Sequence, residues 1–344
     1  MKRVSSADIA KLAGVSRSTV SRVINNYPNV PAETRERVMQ IIEEQHYYPQ
    51  FSGQLLGGSA TQTLGLFWVS PYSIAPDALS SSYFLHSVDA ASAQHYMMLS
   101  SVLPNLENEK NIQFVRKVFL QGRIDAGIFV GLPHGNPLLQ ELLDAGMVVG
   151  LFDHFRPEEN AEHCITVGFE KNSGEKLVDY LVSMGHSRIG IVTGNLSRPS
   201  CRHRYESFLA AMAKHGLPVE EKWCLQGGIV QEDGAEAART LLDRCGNDLP
   251  TALIAPNDAG AFGLYEVLKA RGLRIPEDIS IVGVDGHVNG TQVSPQLTTI
   301  SFDFRAMFSS LVTRVIAAAE GQQVALEEYI PGTLVVRESV KKLG

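Results

Sequence analysis

Cysteine is scarce in this sequence, with four residues in 344. They stand far apart, as Cys164, Cys201, Cys224 and Cys245, and no two of them have the Cys-x-x-Cys spacing of a zinc or redox motif. That spacing disfavours a structural zinc site, and a cysteine-poor chain of this length does not need a disulfide framework. We therefore expect reduced thiols and no metal centre.

Long apolar runs and a leader segment are also missing. No stretch approaches the ~18 apolar residues of a membrane span, and the first eight residues, MKRVSSAD, contain no apolar segment. We expect a cytoplasmic protein without membrane association. The glycine-rich fingerprints of dinucleotide and nucleoside-triphosphate sites and the Gly-x-Ser-x-Gly turn of hydrolases are absent from the sequence. An enzyme is therefore the least favoured class, and no cofactor is expected.

Basic residues are missing from a long stretch, because no lysine or arginine occurs between Arg37 and Lys110. The formal net charge is −7, which by itself argues against a nucleic-acid partner. The charge is nevertheless uneven. Residues 1–30 contain five basic side chains and one acidic side chain, whereas residues 61–344 contain 23 basic and 32 acidic side chains. A small basic head on a large acidic body indicates two functions in two domains.

Hydrophobic residues make up 44% of the chain, enough for a large buried core. From residue 63 onward, apolar strands alternate with amphipathic helices. The strands are predicted at 64–69, 97–99, 126–130, 148–152, 189–192, 252–255 and 279–284, and the helices include 84–93, 113–119, 174–183, 205–214, 235–242 and 259–269. Two successive series of this kind predict an α/β body of two Rossmann-like parallel-sheet subdomains.

The first 45 residues predict a small all-α head of three helices. Ser5 or Ser6 caps the first helix, Gly14 ends it, and Ser16 caps the second. The third helix is predicted at 32–45. Two short helices joined at a glycine, the second of them polar, are typical of a helix-turn-helix. The alternative is a three-helix cap with a solvated face.

The second predicted helix carries the side chains that suit a DNA major groove. Arginine pairs bidentately with guanine, while serine and threonine hydroxyls bind phosphate. The candidates in this helix are Arg17, Ser18, Thr19, Ser21 and Arg22.

Residues 8–25, DIAKLAGVSRSTVSRVIN, resemble the head of the LacI/GalR family of bacterial transcriptional regulators. The similarity extends along the chain, through MGHSRI at 184–189, PND at 256–258, IPEDISIVG at 275–283, PQLTTI at 295–300 and VVR at 335–337. It implies a helix-turn-helix domain at 1–48, a hinge at 49–61, and an effector-binding and dimerisation domain at 62–344 with a periplasmic-binding-protein-like fold. One subdomain is expected at about 62–166 and 302–330, and the other at about 167–301 and 331–344.

The resemblance also implies roles in DNA binding. Arg17, Ser18 and Arg22 are expected to read base edges. Thr19, Ser21 and Asn25 are expected to lie against phosphates, and Ser16 is a further DNA-binding candidate. In the hinge, Leu56 matches the leucine that family members insert into the minor groove, and Gln54 precedes it.

The hinge departs from the family pattern, since glycines stand at 53, 57 and 58. Each interior glycine weakens a helix by up to about 1 kcal/mol relative to alanine. A plain flexible linker is therefore the alternative to a hinge helix.

Polar residues at predicted strand ends are the candidates for an effector site. Asp153, Arg202, Asn257 and Asp285 match positions that bind hydroxyls in sugar-binding relatives, and Tyr83, Phe84 and Phe302 are candidates for stacking on a sugar ring. Each of these residues also has an alternative role without a ligand. Asp153 is then a turn residue, Arg202 forms an ion pair, and the aromatic residues pack in the core. Asp258 is expected to cap the helix that follows it.

The resemblance implies a sequence-specific repressor that binds a pseudo-palindromic operator as a homodimer and is released by a sugar-type inducer. Two alternatives remain. One is a purine- or phosphosugar-responsive regulator that uses a co-repressor. The other is a sugar-binding protein that does not bind DNA.

Overall fold

The computed structural model describes residues 5–24, 27–45, 47, 60–72, 77–159 and 161–344. The chain forms two compact units, Met1–Thr61 and Gln62–Gly344. They are called the head and the body below.

The head contains α1 (Ser6–Ala13), α2 (Arg17–Ile24) and α3 (Ala32–Glu44). Helix α1 begins with a capping box, in which the Ser5 hydroxyl accepts the Asp8 amide while the Asp8 carboxylate accepts the Ser5 amide. It ends at Gly14, whose φ of 66° is the left-handed conformation that glycine adopts without strain. The Ser16 hydroxyl accepts the Thr19 amide at 3.1 Å at the start of α2.

A small core joins the three head helices. Ile9 of α1, Val20 of α2 and Val38 of α3 are fully buried, and Val15 and Val23 pack in the same cluster. Because these side chains face inward, the polar residues between them in α2 face outward.

The body contains two lobes, each built on a six-stranded sheet. The first sheet has the order β11-β5-β4-β3-β1-β2 and all its neighbouring strands are parallel. Its strands are β1 (Thr63–Val69), β2 (Met97–Leu103), β3 (Ala126–Val130), β4 (Val148–Phe152), β5 (Cys164–Phe169) and β11 (Glu327–Ile330). Its helices are α4 (Ala78–Ser92), α5 (Glu109–Leu120), α6 (Pro137–Asp144) and α11 (Phe304–Ala319).

Each of these four helices starts at an aspartate or asparagine whose side chain accepts a backbone N–H of the first turn. These N-caps are Asp77, Asn108, Asn136 and Asp303. An N-cap of this kind contributes about 1 kcal/mol to helix stability. The helix starts of the first lobe are therefore determined locally.

The second lobe has the sheet order β12-β10-β9-β8-β6-β7. Its strands are β6 (Ile189–Val192), β7 (Cys224–Leu225), β8 (Ala252–Ile254), β9 (Ser280–Asp285), β10 (Thr298–Ser301) and β12 (Thr333–Val335). Only β12 is antiparallel to its neighbour. Four helices cover the sheet, namely α7 (Ser173–Ser183), α8 (Pro199–Lys214), α9 (Gln231–Cys245) and α10 (Asp258–Ala270).

The chain passes between the lobes three times: after Phe169, after Ser301 and after Ile330. The predicted crossing at 166/167 falls inside β5, which stays whole in the first sheet because all its residues are buried there. The first crossing therefore comes three residues later than expected. One apolar cluster continues through both lobes, from Leu66 to Val282.

The predicted fold class is confirmed, with an all-α head and two parallel-sheet α/β lobes. Within the described part of the chain, no helix is long and apolar enough to cross a membrane.

Candidate DNA-reading surface and effector cleft

Helix α2 presents a polar, exposed face. Arg17, Ser18, Ser21 and Arg22 are all exposed, while Thr19 is half-buried. The two arginines lie five positions apart on this short helix, so their side chains reach out near its two ends. This face has the hydrogen-bond donors and the positive charge that DNA recognition requires.

Ser16 has a structural task on this surface. Its hydroxyl is within 2.7 Å of the Ser18 hydroxyl and within 2.8 Å of the Thr19 hydroxyl, and it also accepts the Thr19 amide. These bonds hold the first turn of α2. The other three predicted DNA contacts, Asn25, Gln54 and Leu56, lie outside the described residues.

The carboxyl ends of the strands of the two sheets meet where Asp153 bonds to Ser200, and this junction is called the cleft below. Asp153 follows β4 of the first lobe, Asn257 follows β8 of the second lobe, and Asp285 ends β9. In α/β folds, ligands bind at such an edge because the loops after the strands converge there. The predicted polar residues are therefore carried to one region by the topology.

Asp153 joins the two lobes. Its Oδ1 accepts the amide of Ser200 at 2.9 Å, and its Oδ2 accepts the Ser200 hydroxyl at 2.7 Å. Arg198 donates from Nε to the same Oδ2 at 3.1 Å. The Asp153 side chain is 2% exposed and its backbone has a φ of 50°, which is unusual for a residue other than glycine. It thus forms an ion pair between the lobes in which the carboxylate is buried and the Arg198 side chain is partly exposed.

The predicted Arg202 lies on the surface. It donates from Nε to the Leu196 carbonyl at 3.1 Å, and its guanidinium covers the Phe155 ring at 5.0 Å. Arg204, two positions further along α8, is 4% exposed and donates to the Pro256 carbonyl at the carboxyl end of the second sheet. Its Nε is buried and has no hydrogen-bond partner among the described residues. Arg204, and not the predicted Arg202, is therefore the arginine of α8 that reaches this end of the second sheet.

Asp285 ends β9 with a φ of 124°, so its backbone is strained. No described residue donates a hydrogen bond to its carboxylate. Burial raises the pKa of Asp285 well above the usual range, and the nearby Asp258 carboxylate adds to this effect, which Arg204 opposes. Among the described residues, the Asp285 side chain thus has no hydrogen-bond donor.

The prediction that Asp258 caps the following helix is wrong. Asn257 is the N-cap of α10, because its Oδ1 accepts the Gly260 amide at 2.8 Å, while its Nδ2 donates to the Ile229 carbonyl. Asp258 is fully buried and accepts the Thr299 hydroxyl and the His287 amide, each at 2.6 Å. The side-chain oxygen and nitrogen of Asn257 both bond within the protein, to Gly260 and Ile229 respectively.

The three predicted aromatic residues lie in different places. Tyr83 is buried among Trp68, Phe152, Phe304 and Phe308, with ring centroids 4.6–6.0 Å apart. Burial raises the pKa of its hydroxyl well above the usual range, and the Asp285 carboxyl acts in the same direction.

Phe302 is buried at the second lobe crossing and meets Phe169 edge-on at 4.8 Å. Phe84 instead lines a small cavity of about 80 Å³ between α4 and strand β2, together with Val102. It does not join the cleft residues.

Sequence reasoning did not find Arg198, Ser200 and Arg204. The helical period offers a signal, since Ser200, Arg204 and Phe208 are four positions apart and all are buried. Arg202 lies between them in sequence and points to the opposite side of α8. Because Phe208 is apolar and lies four positions after Arg204, the helical period would have predicted that Arg204 faces inward and Arg202 outward.

A helix-turn-helix head and a two-lobed body with a polar cleft define a class of protein, the DNA-binding regulator with a ligand-binding domain. Residues 7–50 match the family described as bacterial regulatory proteins, lacI family. Residues 178–340 match the periplasmic binding protein-like domain.

Curated relatives match over the whole length. The HTH-type transcriptional repressor PurR of Pasteurella multocida is 31% identical over 341 residues, which covers 97% of this chain and 98% of the relative. The PurR repressor of Haemophilus influenzae is 31% identical over 343 residues and covers 98% of both.

Solved structures of transcriptional regulators match the whole chain as well. The lac repressor dimer bound to operator and the anti-inducer ONPF has a TM-score of 0.77 and 27% identity, covering 99% of this chain and 100% of that chain. The complex of the transcriptional regulator CelR with cellobiose has a TM-score of 0.74 and covers 98% and 100%, and at 24% identity it supports the fold alone. The chain belongs to the lacI family of bacterial regulatory proteins, as its motifs predicted, and is a DNA-binding transcriptional regulator.

Proposed function

We propose that this regulator is a cytoplasmic repressor that binds a pseudo-palindromic operator as a homodimer and is released by an uncharged sugar-type effector in the cleft. It acts by binding and not by catalysis, in keeping with a family composed of transcriptional regulators.

The observation that carries the effector proposal is the unmatched pair of Arg204 and Asp285. Arg204 is a buried guanidinium whose side chain bonds only to a carbonyl among the described residues. Asp285 is a half-buried acid whose side chain receives no hydrogen bond from them. Leaving the buried Nε of Arg204 unpaired costs about 1–3 kcal/mol. A ligand that accepts from Arg204 and also bonds to Asp285 removes this cost.

A hydroxyl does both, because it is one donor and two acceptors. Neighbouring hydroxyls of a sugar ring can therefore serve the acid and the guanidinium together. A phosphorylated sugar fits less well. The burial that disfavours the ionised forms of Asp285 and Asp258 also disfavours the charge of a phosphate group at this place.

The homodimer is supported by an apolar edge on the first lobe. Strand β2 is an edge strand of its sheet, and Met97, Leu99 and Val102 on it are exposed, as is the neighbouring Leu85 of α4. No lysine or arginine occurs between residues 38 and 109 to keep this edge solvated. Exposed apolar patches of this kind mark protein interfaces.

The test is a thermal-shift screen of the full-length protein. Neutral monosaccharides and disaccharides, hexose phosphates and purines are added separately, and a ligand at 100 times its dissociation constant stabilises the protein by about 2.7 kcal/mol. Each hit is then added to a gel shift with DNA selected from a random library by the same protein. A neutral sugar that raises the melting temperature and releases DNA supports the proposal. A purine or phosphosugar that strengthens DNA binding would replace it with a co-repressor mechanism.

A further inference from the structure

His287 makes a hydrogen bond from one lobe to the other. It lies in the second lobe, two residues after Asp285, and its ring Nε2 is 3.3 Å from Oδ1 of Asp77 in the first lobe. The side chain of His287 is 6% exposed and that of Asp77 is 41% exposed. The imidazole therefore reaches from a buried position to the rim of the facing lobe.

Every polar group of His287 has a defined partner. Its amide donates to the buried Asp258 at 2.6 Å, and its Nδ1 accepts the amide of Asn289 at 3.0 Å. Since Nδ1 is the acceptor, the neutral ring carries its proton on Nε2 and donates it to Asp77. The ring also meets Phe262 edge-on at 5.7 Å. The side chain is thus fixed by its own lobe before it reaches the other one.

Asp77 is held equally firmly. It is the N-cap of α4, where its Oδ2 accepts the Ser80 amide at 2.7 Å. Its two oxygens have separate tasks, since Oδ2 starts the helix and Oδ1 faces His287. A contact between two preorganised groups loses little conformational entropy when it forms.

The contact differs from the Asp153 contact in its position in the chain. Asp153 joins the end of β4 to the start of α8, whereas Asp77 joins the start of α4 to the loop after β9. The cleft is therefore bridged at two places by different strand ends, and both bridges consist of the protein's own side chains.

We propose that His287 is a positioning residue, which ties the loop carrying Asp285 to the first lobe and holds the cleft closed in the absence of effector. The proposal rests on the proposed function only in regarding the cleft as the effector site. The test of this hydrogen bond uses neither effector nor DNA. A failed sugar screen would therefore contradict the proposed function without deciding whether His287 holds the lobes together.

Histidine offers a matched pair of substitutions. His287→Asn keeps an acceptor at the position of Nδ1 for the Asn289 amide but is too short to reach Asp77. His287→Gln places a donor at the position of Nε2 and retains the contact with Asp77. In the first lobe, Asp77→Ser keeps the N-cap of α4, because serine caps as well as aspartate, but does not reach His287.

The readout is hydrogen exchange at the Ser200 amide in the full-length protein. This amide bonds to Asp153 of the opposite lobe, so its exchange rate reports opening of the cleft. We expect His287→Asn and Asp77→Ser each to speed exchange about 3- to 10-fold, in line with the loss of one hydrogen bond. His287→Gln should exchange at nearly the wild-type rate, and the double variant His287→Asn with Asp77→Ser should be no faster than either single variant.

Two results would overturn the proposal. If His287→Gln exchanges as fast as His287→Asn, a donor at the position of Nε2 does not restore the protection, and the hydrogen bond to Asp77 does not hold the lobes together. If none of the variants changes the exchange of the Ser200 amide, the contact does not hold the lobes together. Circular dichroism of each variant shows whether it is folded, and a rate that rises in every peptide of the body would indicate global destabilisation and count against a local tie.

Discussion

Asp153 accepts two hydrogen bonds from Ser200, through Oδ1 from the amide at 2.9 Å and through Oδ2 from the hydroxyl at 2.7 Å. One residue belongs to the first lobe and the other to the second. A single buried carboxylate therefore fixes the start of α8 against the end of β4, and the adjacent Arg198 compensates its charge.

Asp153→Asn should lower the free energy of unfolding by about 2–3 kcal/mol, because it leaves Arg198 without its partner and turns a donor toward another donor. Ser200→Ala should cost about 1 kcal/mol, the value of one hydrogen bond. Urea denaturation measures both. Glu236→Gln, which breaks an exposed ion pair with Arg239, is the control and should stay within about 0.5 kcal/mol. Equal effects of all three substitutions would contradict the special role of Asp153.

Arg204 and Arg202 provide a test of the cleft. Arg204→Met should weaken binding of any neutral sugar found by thermal shift at least tenfold, since it removes a buried donor from the ligand. Arg202→Met should change sugar affinity less than twofold, because Arg202 lies on the surface against Phe155. Isothermal titration calorimetry measures both. The opposite ranking would restore the position predicted from sequence.

Arg22 tests the DNA-reading surface. Arg22→Ala should cost about 1–3 kcal/mol on DNA selected from a random library by the wild-type protein and much less on scrambled DNA. Arg37→Ala, which removes an exposed arginine from α3, controls for charge alone. Fluorescence anisotropy at fixed salt gives the affinities. An equal loss on selected and scrambled DNA would leave Arg22 with only a charge effect.

Val102 tests the proposed dimer surface. Val102→Lys places a charge on the exposed edge strand β2 and should convert the dimer to a monomer in sedimentation velocity. Leu120→Lys changes a similarly exposed apolar residue on α5 and should leave the dimer intact. A Val102→Lys protein that remains dimeric would place the interface elsewhere.

Asp258 should make stability depend on pH. Burial raises the pKa of this acid to about 6 from an ordinary 3.8, so the folded protein binds an extra proton between these values. Its contribution to the free energy of unfolding is therefore most favourable below pH 4 and is lost as the pH rises toward 6. Relative to Asp258→Asn, the wild-type protein should lose on the order of 3 kcal/mol over this range.

The measurement is urea denaturation of both proteins at several pH values. Taking the difference between them cancels the carboxylates whose pKa values are lowered, such as Asp77 and Asp278. A difference that stays constant from pH 4 to 7 would show that Asp258 does not titrate in this range.

The sequence alone determined the head and the class of fold. Ser5, Asp8 and Gly14 set the ends of α1 through contacts within three or four residues, and strand-helix alternation sets the two sheets. Such signals involve residues close together in sequence, so these elements can be predicted without the tertiary structure. The predicted elements did not include strands β5, β7, β10, β11 and β12 or helices α6 and α11. Helix α11 is apolar on several faces because it packs against α4 and the first sheet, and this weakens its helical period.

The tertiary structure decided the cleft. Asp153 and Ser200 are 47 positions apart, and Asp77 and His287 are 210 positions apart, so no local pattern links them. The choice of Arg204 over Arg202 depends on which face of α8 is buried. The sequence supplied the polar groups, and long-range packing decided which of them face one another.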